Sequence, residues 1–261
     1  MLFLLSPAKT LDYESPLPAA VARRATQPRF VDEAAALIDV LRGHSADDIA
    51  ELMSLSDNLA QLNVERYAAW SPRFTSRNSR PAALAFNGDV YEGLQAASLS
   101  SADWTWAQRH VVILSGLYGM LRPLDRLQPY RLEMGTRLAS SGGAKDLYGY
   151  WGDTLAETLN EAQADERSPI VVNLASQEYS RAALRPALRA RVIECVFEEW
   201  HGGQWKVISF FAKRARGLMA RHAIQQRAST LKALRAFDAE GYAFDAEVSE
   251  SDRFVFRRKA G

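Results

Sequence analysis

Small polar or basic side chains follow five short apolar runs that are typical of buried strands. The runs and the residues at or after their ends are Leu2–Leu5 with Ser6 and Lys9, residues 83–86 with Asn87, residues 111–114 with Ser115, Ile170–Leu174 with Asn173 and Ser176, and residues 207–211 with Lys213, Arg214 and Arg216. In α/β sheets, ligands bind beyond the carboxyl ends of parallel strands, where backbone donors converge. The pattern therefore predicts an anion site at these ends, although strand-to-helix turns are rich in Ser, Gly and Asn in any protein.

Arg131 and Glu133 lie two residues apart, so in an extended segment their side chains point to the same face. The spacing fits an ordinary ion pair and equally a pair of groups that flank a ligand. If the site is catalytic, Glu133 or Tyr130 is the candidate for proton transfer. The nearby residues 115–119 carry two glycines at a spacing that fits neither a dinucleotide fingerprint nor a P-loop, and they predict a tight turn.

The basic residues are concentrated in one segment of a chain whose overall charge is balanced. Lys and Arg total 32 against 31 Asp and Glu, a formal charge of +1. Residues 206–235 nevertheless contain eight basic residues, Arg221 among them, and no acid, whereas residues 236–252 contain six acids and no base. Either the two segments neutralise each other across the fold, or the basic segment forms a face that binds a polyanion.

Residues 46–70 predict two helices, over 47–53 and 57–70, joined by a short turn. Such a pair is similar to a helix-hairpin-helix, whose hairpin amides bind a phosphate without reading bases. Ser54 and Ser56 stand where that motif usually has glycines, and serine is strained at positive φ. An ordinary helical corner fits the pattern as well. Ser54, Ser56 and Asn58 are thus a second set of candidate DNA contacts.

The composition excludes several classes of protein. With 48% hydrophobic and 24% charged residues the chain is typical of globular proteins. Cys195 is the only cysteine and the four histidines show no metal-ligand spacing, so we expect neither a metal site nor another cofactor. No apolar run approaches the ~18 residues of a membrane span, and the apolar start breaks at Pro7 without a cationic leader. We therefore expect a cytoplasmic protein with no membrane partner.

Both helices and strands are predicted around these side chains. Helical periodicity predicts helices over residues 30–42, 147–164 and 212–227. Strand patterns predict a hairpin of residues 191–200 and 204–210, turned at Gly202 and Gly203, and a final hairpin of residues 242–248 and 253–258. No linker or repeat interrupts the chain. We predict a single α/β domain over residues 1–261, with a mixed sheet flanked by helices.

Five blocks of the sequence resemble the bacterial peroxide-stress YaaA family, in the same order along nearly the whole chain. The blocks are residues 5–13 (Leu5-Ser6-Pro7-Ala8-Lys9-Thr10-Leu11-Asp12-Tyr13), 86–91, 114–123, 128–135 and 209–219. The resemblance implies a cytoplasmic protein that promotes survival of hydrogen peroxide by limiting free iron and that binds DNA. It also implies an unusual single-domain α/β fold with a positively charged cleft and a helix-hairpin-helix. It carries over no catalytic residues, but Lys9 and residues 213–216 match family blocks and fit a basic cleft.

Two functions follow as expectations. The first is a peroxide-stress protein that binds double-stranded or distorted DNA, without sequence preference, through Lys9, Arg131, Lys213, Arg214, Arg216 and Arg221. Because the chain has neither ferritin-like Glu-x-x-His pairs nor a cysteine cluster, its effect on iron-driven damage would be indirect. The alternative is an enzyme acting on a nucleotide or other small anion in a pocket formed by Ser6, Asn87, Ser115, Glu133, Asn173 and Ser176.

Overall fold

The computed structural model describes residues 1–140 and 142–259. The strands are β1 (Leu2–Leu5), β2 (Thr10–Leu11), β3 (Arg80–Pro81), β4 (Phe86–Asn87), β5 (Val111–Ser115), β6 (Gly119–Leu121), β7 (Arg126–Leu127), β8 (Ile170–Leu174), β9 (Arg191–His201), β10 (Gln204–Lys206), β11 (Ala243–Phe244) and β12 (Arg253–Arg258). The helices are α1 (Ala19–Ala22), α2 (Val31–Arg42), α3 (Ala46–Met53), α4 (Asp57–Ala69), α5 (Ala82–Ala85), α6 (Asp89–Leu94), α7 (Ser101–His110), α8 (Leu147–Trp151), α9 (Thr154–Glu161), α10 (Gln177–Ala183), α11 (Ser209–Gln226) and α12 (Leu231–Arg235).

Eight strands form the main sheet, in the order β11-β12-β9-β8-β1-β5-β6, with β10 paired to β9 outside this path. The strands from β12 to β5 are parallel to one another, and β11, β6 and β10 are antiparallel to their neighbours. Leu5 is in register with Ile113 on one side and Leu174 on the other. The predicted α/β fold with a mixed sheet is confirmed, and the carboxyl ends of β1, β5 and β8 meet at one edge.

Continuous burial explains why the sequence predicts β1 and β5, and three of the five residues of β8 are buried as well. All four residues of β1 and all five of β5 are buried, as expected for parallel strands covered on both faces. Both predicted hairpins form, and Gly202 and Gly203 make the β9–β10 turn at φ values of 61° and 81°. Such positive φ angles are available to glycine at little cost.

Two of the five predicted strands are wrong. Residues 83–86 were expected in a strand, but Ala82–Ala85 is a helical turn, since three alanines and a leucine favour helix strongly. Residues 207–211 were also expected in a strand, but β10 ends at Lys206 and α11 begins at Ser209. Val207 and Phe210 are 54% and 53% exposed, so their apolar character does not reflect burial in a sheet. Context overrides strand propensity only at residues 207–211.

The predicted helix over residues 147–164 is divided in two. Gly152 adopts a φ of 47° between α8 and α9, and this left-handed residue ends the first helix. The other predicted helices form, with α2 ending at Gly43 and α11 beginning three residues earlier than expected. Among the residues that the structure describes, no helix combines the length and the apolar character of a membrane span.

Two glycines bring α6 and α11 into backbone contact. A Cβ atom on Gly217 would lie 1.8 Å from the carbonyl oxygen of Val90, and one on Gly93 would lie 2.2 Å from that of Arg214. No side chain fits in either place. The close crossing holds the beginning of α11, which carries Lys213 and Arg216, against the beginning of α6.

Candidate functional site: a cationic cavity at the strand ends

A cavity of about 300 Å³ lies beyond the carboxyl ends of β1 and β8. Its walls come from residues 6–10 after β1, residues 87–90 at the start of α6, and residues 130–133. Residues 176–179, at the start of α10, and the first two turns of α11 complete it. The site therefore lies where ligands usually bind in sheets with parallel strands.

Four of the predicted anion-binding residues line this cavity together: Lys9, Arg131, Lys213 and Arg216. They come from three stretches of the chain that are far apart in sequence. Of the predicted pocket residues, Ser6, Asn87, Glu133 and Ser176 line the same cavity. The fold thus brings together eight of the candidates, and the remaining ones lie elsewhere.

Glu133 holds two of the four cations. One of its carboxylate oxygens lies 2.9 Å from the Lys9 ammonium, and the other lies 3.1 Å from the Arg131 guanidinium. The predicted Arg131–Glu133 ion pair is confirmed, and both residues line the cavity. That the pair flanks a ligand stays a prediction. With each oxygen paired to one cation, Glu133 orients Lys9 and Arg131 at the cavity wall.

Lys213 and Arg216 have no such partner. Within residues 1–140 and 142–259, neither side chain forms an ion pair or a hydrogen bond, and the Arg216 Nε is shielded from solvent without an acceptor. Burial lowers the pKa of Arg216, and Glu194 opposes this shift at longer range. A desolvated guanidinium without an anion is costly. This part of the cavity is therefore prepared for a negatively charged group.

Hydroxyl groups join the two loops at the strand ends. Ser6 Oγ accepts a hydrogen bond from the Ser176 backbone N–H at 2.8 Å and donates one to Ser176 Oγ at 3.2 Å. The Tyr91 hydroxyl donates to the Ser6 carbonyl oxygen at 3.0 Å. These bonds fix the loop after β1 against the start of α10. The cavity walls are therefore kept in position by hydrogen bonds within the protein.

Ser115 and Asn173 were predicted to line the pocket and do not. Ser115 is fully buried, where its hydroxyl accepts the Tyr118 N–H at 2.9 Å and lies 2.6 Å from the Tyr130 hydroxyl. Asn173 accepts a hydrogen bond from the Ala175 N–H at 3.0 Å. Both side chains are used to shape turns, which was the ordinary interpretation of such residues.

Tyr130 lines the cavity as a neutral group. Burial raises the pKa of its phenol well above the ordinary value, although the Ser115 hydrogen bond opposes this. Its phenol therefore stays protonated near pH 7, where it can donate or accept a hydrogen bond. The predicted tight turn of residues 115–119 is confirmed, since Ser115 pairs with Gly119. A Cβ on Gly116 would lie 2.3 Å from the Leu132 oxygen, so this turn supports the wall that carries Arg131 and Glu133.

Arg214 and Arg221 lie outside the cavity lining. The Arg214 guanidinium lies 2.6 Å from a carboxylate oxygen of Glu240, in the acidic segment. Arg221 donates to the carbonyl oxygens of Leu94 and Gln95, both at 3.1 Å. The basic and acidic segments therefore neutralise each other at Arg214, whereas Lys213 and Arg216 have no ion-pair partner among the described residues. Binding of a polyanion by the basic segment stays a prediction.

The helix pair α3–α4 forms, and Ser54 adopts the left-handed conformation at φ 53° despite its side chain. Ser54, Ser56 and Asn58 are all exposed, and none lines the cavity. Residues 46–70 contain five acidic residues and a single basic one, Arg66. This local charge opposes the approach of a phosphate, so contact of the helix pair with DNA stays a prediction.

Sequence reasoning did not name three titratable residues of the cavity as candidates, Asp89, Glu178 and Tyr179. The two carboxylates lie two residues after Asn87 and Ser176, so extending each strand-end loop would have found them. Glu178 Oε1 accepts the Gly135 N–H at 2.9 Å. No sequence signal marks Tyr179, whose position depends on how α10 packs. In the described part of the chain, no group of three or more His, Cys, Asp or Glu could hold a metal ion.

Fold and site together define an α/β protein with a partly cationic cavity at the ends of its parallel strands. A family model described as peroxide stress protein YaaA matches residues 1–248. The chain belongs to this family, and membership supports a role in peroxide stress. It is 63% identical to a UPF0246 protein of Bordetella petrii over the whole of both chains, and 63% identical to one of Bordetella avium over 99% of each. A UPF0246 protein of Paracidovorax citrulli is 62% identical over 99% of each chain.

Proposed function

We propose that the protein acts in the peroxide response, in the cytoplasm, by binding double-stranded or distorted DNA through its phosphates at the mouth of the cavity. The observation that carries this proposal is the pair Lys213 and Arg216, which lack a carboxylate partner among the described residues and lie in one concavity with Lys9 and Arg131. Cations left without a protein partner are available to an external anion.

The contact is electrostatic and independent of sequence. A duplex is too wide to enter a cavity of about 300 Å³, so its backbone lies across the mouth, where Lys9 and Lys213 are exposed. Phosphate contacts fix the protein on the duplex but carry no base information. Binding therefore weakens with salt, because each neutralised phosphate releases counterions.

The effect on iron-driven damage is indirect in this proposal. DNA covered by the protein is less accessible to oxidation at iron bound along the backbone, and no iron is chelated by the protein. Calorimetric titration of metal-free protein with Fe²⁺ tests this point. Tight stoichiometric binding of iron would show that the protein acts on the metal directly.

The DNA contact is tested by replacing Lys213 and Arg216 with alanine and measuring duplex binding by fluorescence anisotropy. We expect the double variant to bind every duplex sequence more weakly, by the same factor. We also expect the slope of log affinity against log salt to fall by about 0.9 for each phosphate that the variant no longer neutralises. Lys232→Ala is the matched control, because it removes one exposed positive charge of α12 outside the cavity. We expect its affinity to equal that of the wild type.

A second variant separates the cavity from the helix pair. Ser56→Ala with Asn58→Ala removes candidate side chains of α4, and the Ser56 side chain makes no capping hydrogen bond that the fold would lose. If this variant loses DNA binding while the folded Lys213/Arg216 variant keeps it, the contact surface is the helix pair and the cavity proposal is wrong.

A further inference from the structure

We propose that the cavity is a binding site for a single nucleoside monophosphate, with its phosphate against Lys213 and Arg216 and its base along the opposite wall. This inference rests on the anion-binding role proposed above for those two residues, but it does not require DNA binding. It assigns a small ligand to the inside of the cavity, whereas a DNA backbone would contact only the mouth.

The size of the cavity is the first argument. A volume of about 300 Å³ lies at the lower end of the range for pockets that hold small organic ligands. The hydrogen bonds between Ser6 and Ser176 and the backbone contact at Gly217 fix its walls in the absence of ligand. A site formed in advance loses little free energy to reorganisation on binding.

The distribution of charge is the second argument. Glu133 already neutralises part of the charge of Lys9 and Arg131, which leaves Lys213 and Arg216 as the cavity cations without an ion-pair partner among the described residues. Guanidinium groups bind phosphate oxygens in a bidentate manner, and a lysine adds a point charge. A terminal phosphate carries close to two negative charges near pH 7, which these two side chains can balance.

The rest of the lining is suited to a base rather than to a bare phosphate. Tyr130, Leu132 and Tyr179 contribute buried aromatic and apolar surface, which a flat ring can cover. Asp89 has no hydrogen-bond partner among the described residues, and Glu178 uses only Oε1, for the Gly135 N–H. Carboxylates accept hydrogen bonds from the amino groups of bases and would repel a lone phosphate.

The test is isothermal titration of the full-length protein with inorganic phosphate, deoxynucleosides and the four deoxynucleoside monophosphates. We expect at least one monophosphate to bind tenfold or more tightly than both inorganic phosphate and its own nucleoside. Lys213→Ala should weaken the monophosphate and leave the nucleoside unchanged. Asp89→Asn with Glu178→Gln should change the preference among the four bases, and it should strengthen the binding of inorganic phosphate because two negative charges are removed from the cavity.

Two results overturn the inference. If inorganic phosphate binds as tightly as every monophosphate, the cavity is an anion site alone. If none of the ligands binds to folded protein, the cavity has no such ligand. Duplex binding by the same unmodified protein, measured in parallel, separates the two proposals. Monophosphate binding without duplex binding rejects the proposed function only, and duplex binding that survives without monophosphate binding rejects this inference only.

Discussion

Lys213 lines the cavity, while Arg214, the next residue of α11, forms an ion pair with Glu240 at 2.6 Å. Successive residues of a helix differ in direction by about 100°, so neighbouring charges face different surroundings. Arg216, two residues further, faces the cavity again. At the scale of single residues, a count of basic side chains therefore overestimates the positive charge that a ligand meets.

Cys195 gives a prediction at the same scale. It is buried at 3% exposure, and burial raises the pKa of its thiol to about 12. Because the thiolate is the reactive form, very little of it exists near pH 7. We expect native protein to resist both hydrogen peroxide and iodoacetamide, as measured by intact-protein mass spectrometry, and protein unfolded in urea to react readily. Rapid oxidation of the native thiol would mean that Cys195 is a peroxide sensor.

The position of the cations depends on how two helices cross. The contact of α6 with α11 leaves no space for a side chain at Gly93 or Gly217. Since α6 begins at Asp89, this crossing sets the distance between the α6 wall of the cavity and Lys213. The packing of α6 against α11 therefore determines the geometry of the site.

Gly217→Ala tests this link. The added Cβ would lie 1.8 Å from a backbone oxygen, so the helices must separate. Overpacking of this kind typically costs about 1–3 kcal/mol, and we expect a loss of stability in that range in chemical denaturation. Gly43→Ala is the control, because its φ is −76° and its new Cβ would approach only Val40 O, at 3.3 Å. Equal stability of the two variants would show that the crossing adjusts easily.

Over the whole molecule, the acidic segment near the C-terminus neutralises basic residues away from the cavity. Glu240 contacts Arg214 and also Arg258, at 3.5 Å. Arg258 in turn pairs with the buried Glu199 at 3.0 Å. These ion pairs connect α11, β9 and β12. The balanced net charge of the chain therefore conceals a local excess of positive charge at Lys213 and Arg216.

The stability of the fold should fall in acid, and the sign follows from lowered carboxyl pKa values. Hydrogen bonds from Ser45 lower the pKa of Asp48, and those from Arg214 lower the pKa of Glu240. A group with a lowered pKa in the folded state stabilises the fold above its ordinary value and loses this effect as pH falls through the lowered value. The loss therefore begins near 4.5 for Glu240 and 3.8 for Asp48 and continues below.

Thermal melting between neutral pH and pH 3 measures this effect. We expect the melting temperature to fall over the acidic range, and Asp48→Asn to show a smaller fall because one titrating group is gone. The same variant should be less stable than the wild type at neutral pH, where the Ser45–Asp48 capping box is intact. An equal acid response in both proteins would show that Asp48 contributes no pH dependence.

Sequence patterns alone predict the mixed α/β class, the strands β1, β5 and β8, both hairpins and the helix pair. Their signals are local, since continuous apolar runs, helical periodicity and paired glycines each act over a few residues. The sequence also indicated Lys9, Arg131, Lys213 and Arg216 as candidates for one anion site, through the strand-end pattern and the family resemblance. The predictions for residues 83–86 and 207–211 were wrong because their apolar composition is compatible with both strand and helix.

Which cations lack a partner among the described residues depends on contacts between distant parts of the chain. Arg214 and Arg221 have the same residue type and sequence environment as Arg216, but the first meets Glu240 and the second meets the carbonyl groups at the end of α6. Such pairings join residues far apart in the chain and depend on helix crossings that single-residue properties do not encode. For the same reason, the sequence predicted neither the position of Tyr179 in the cavity wall nor the burial of Ser115 behind it.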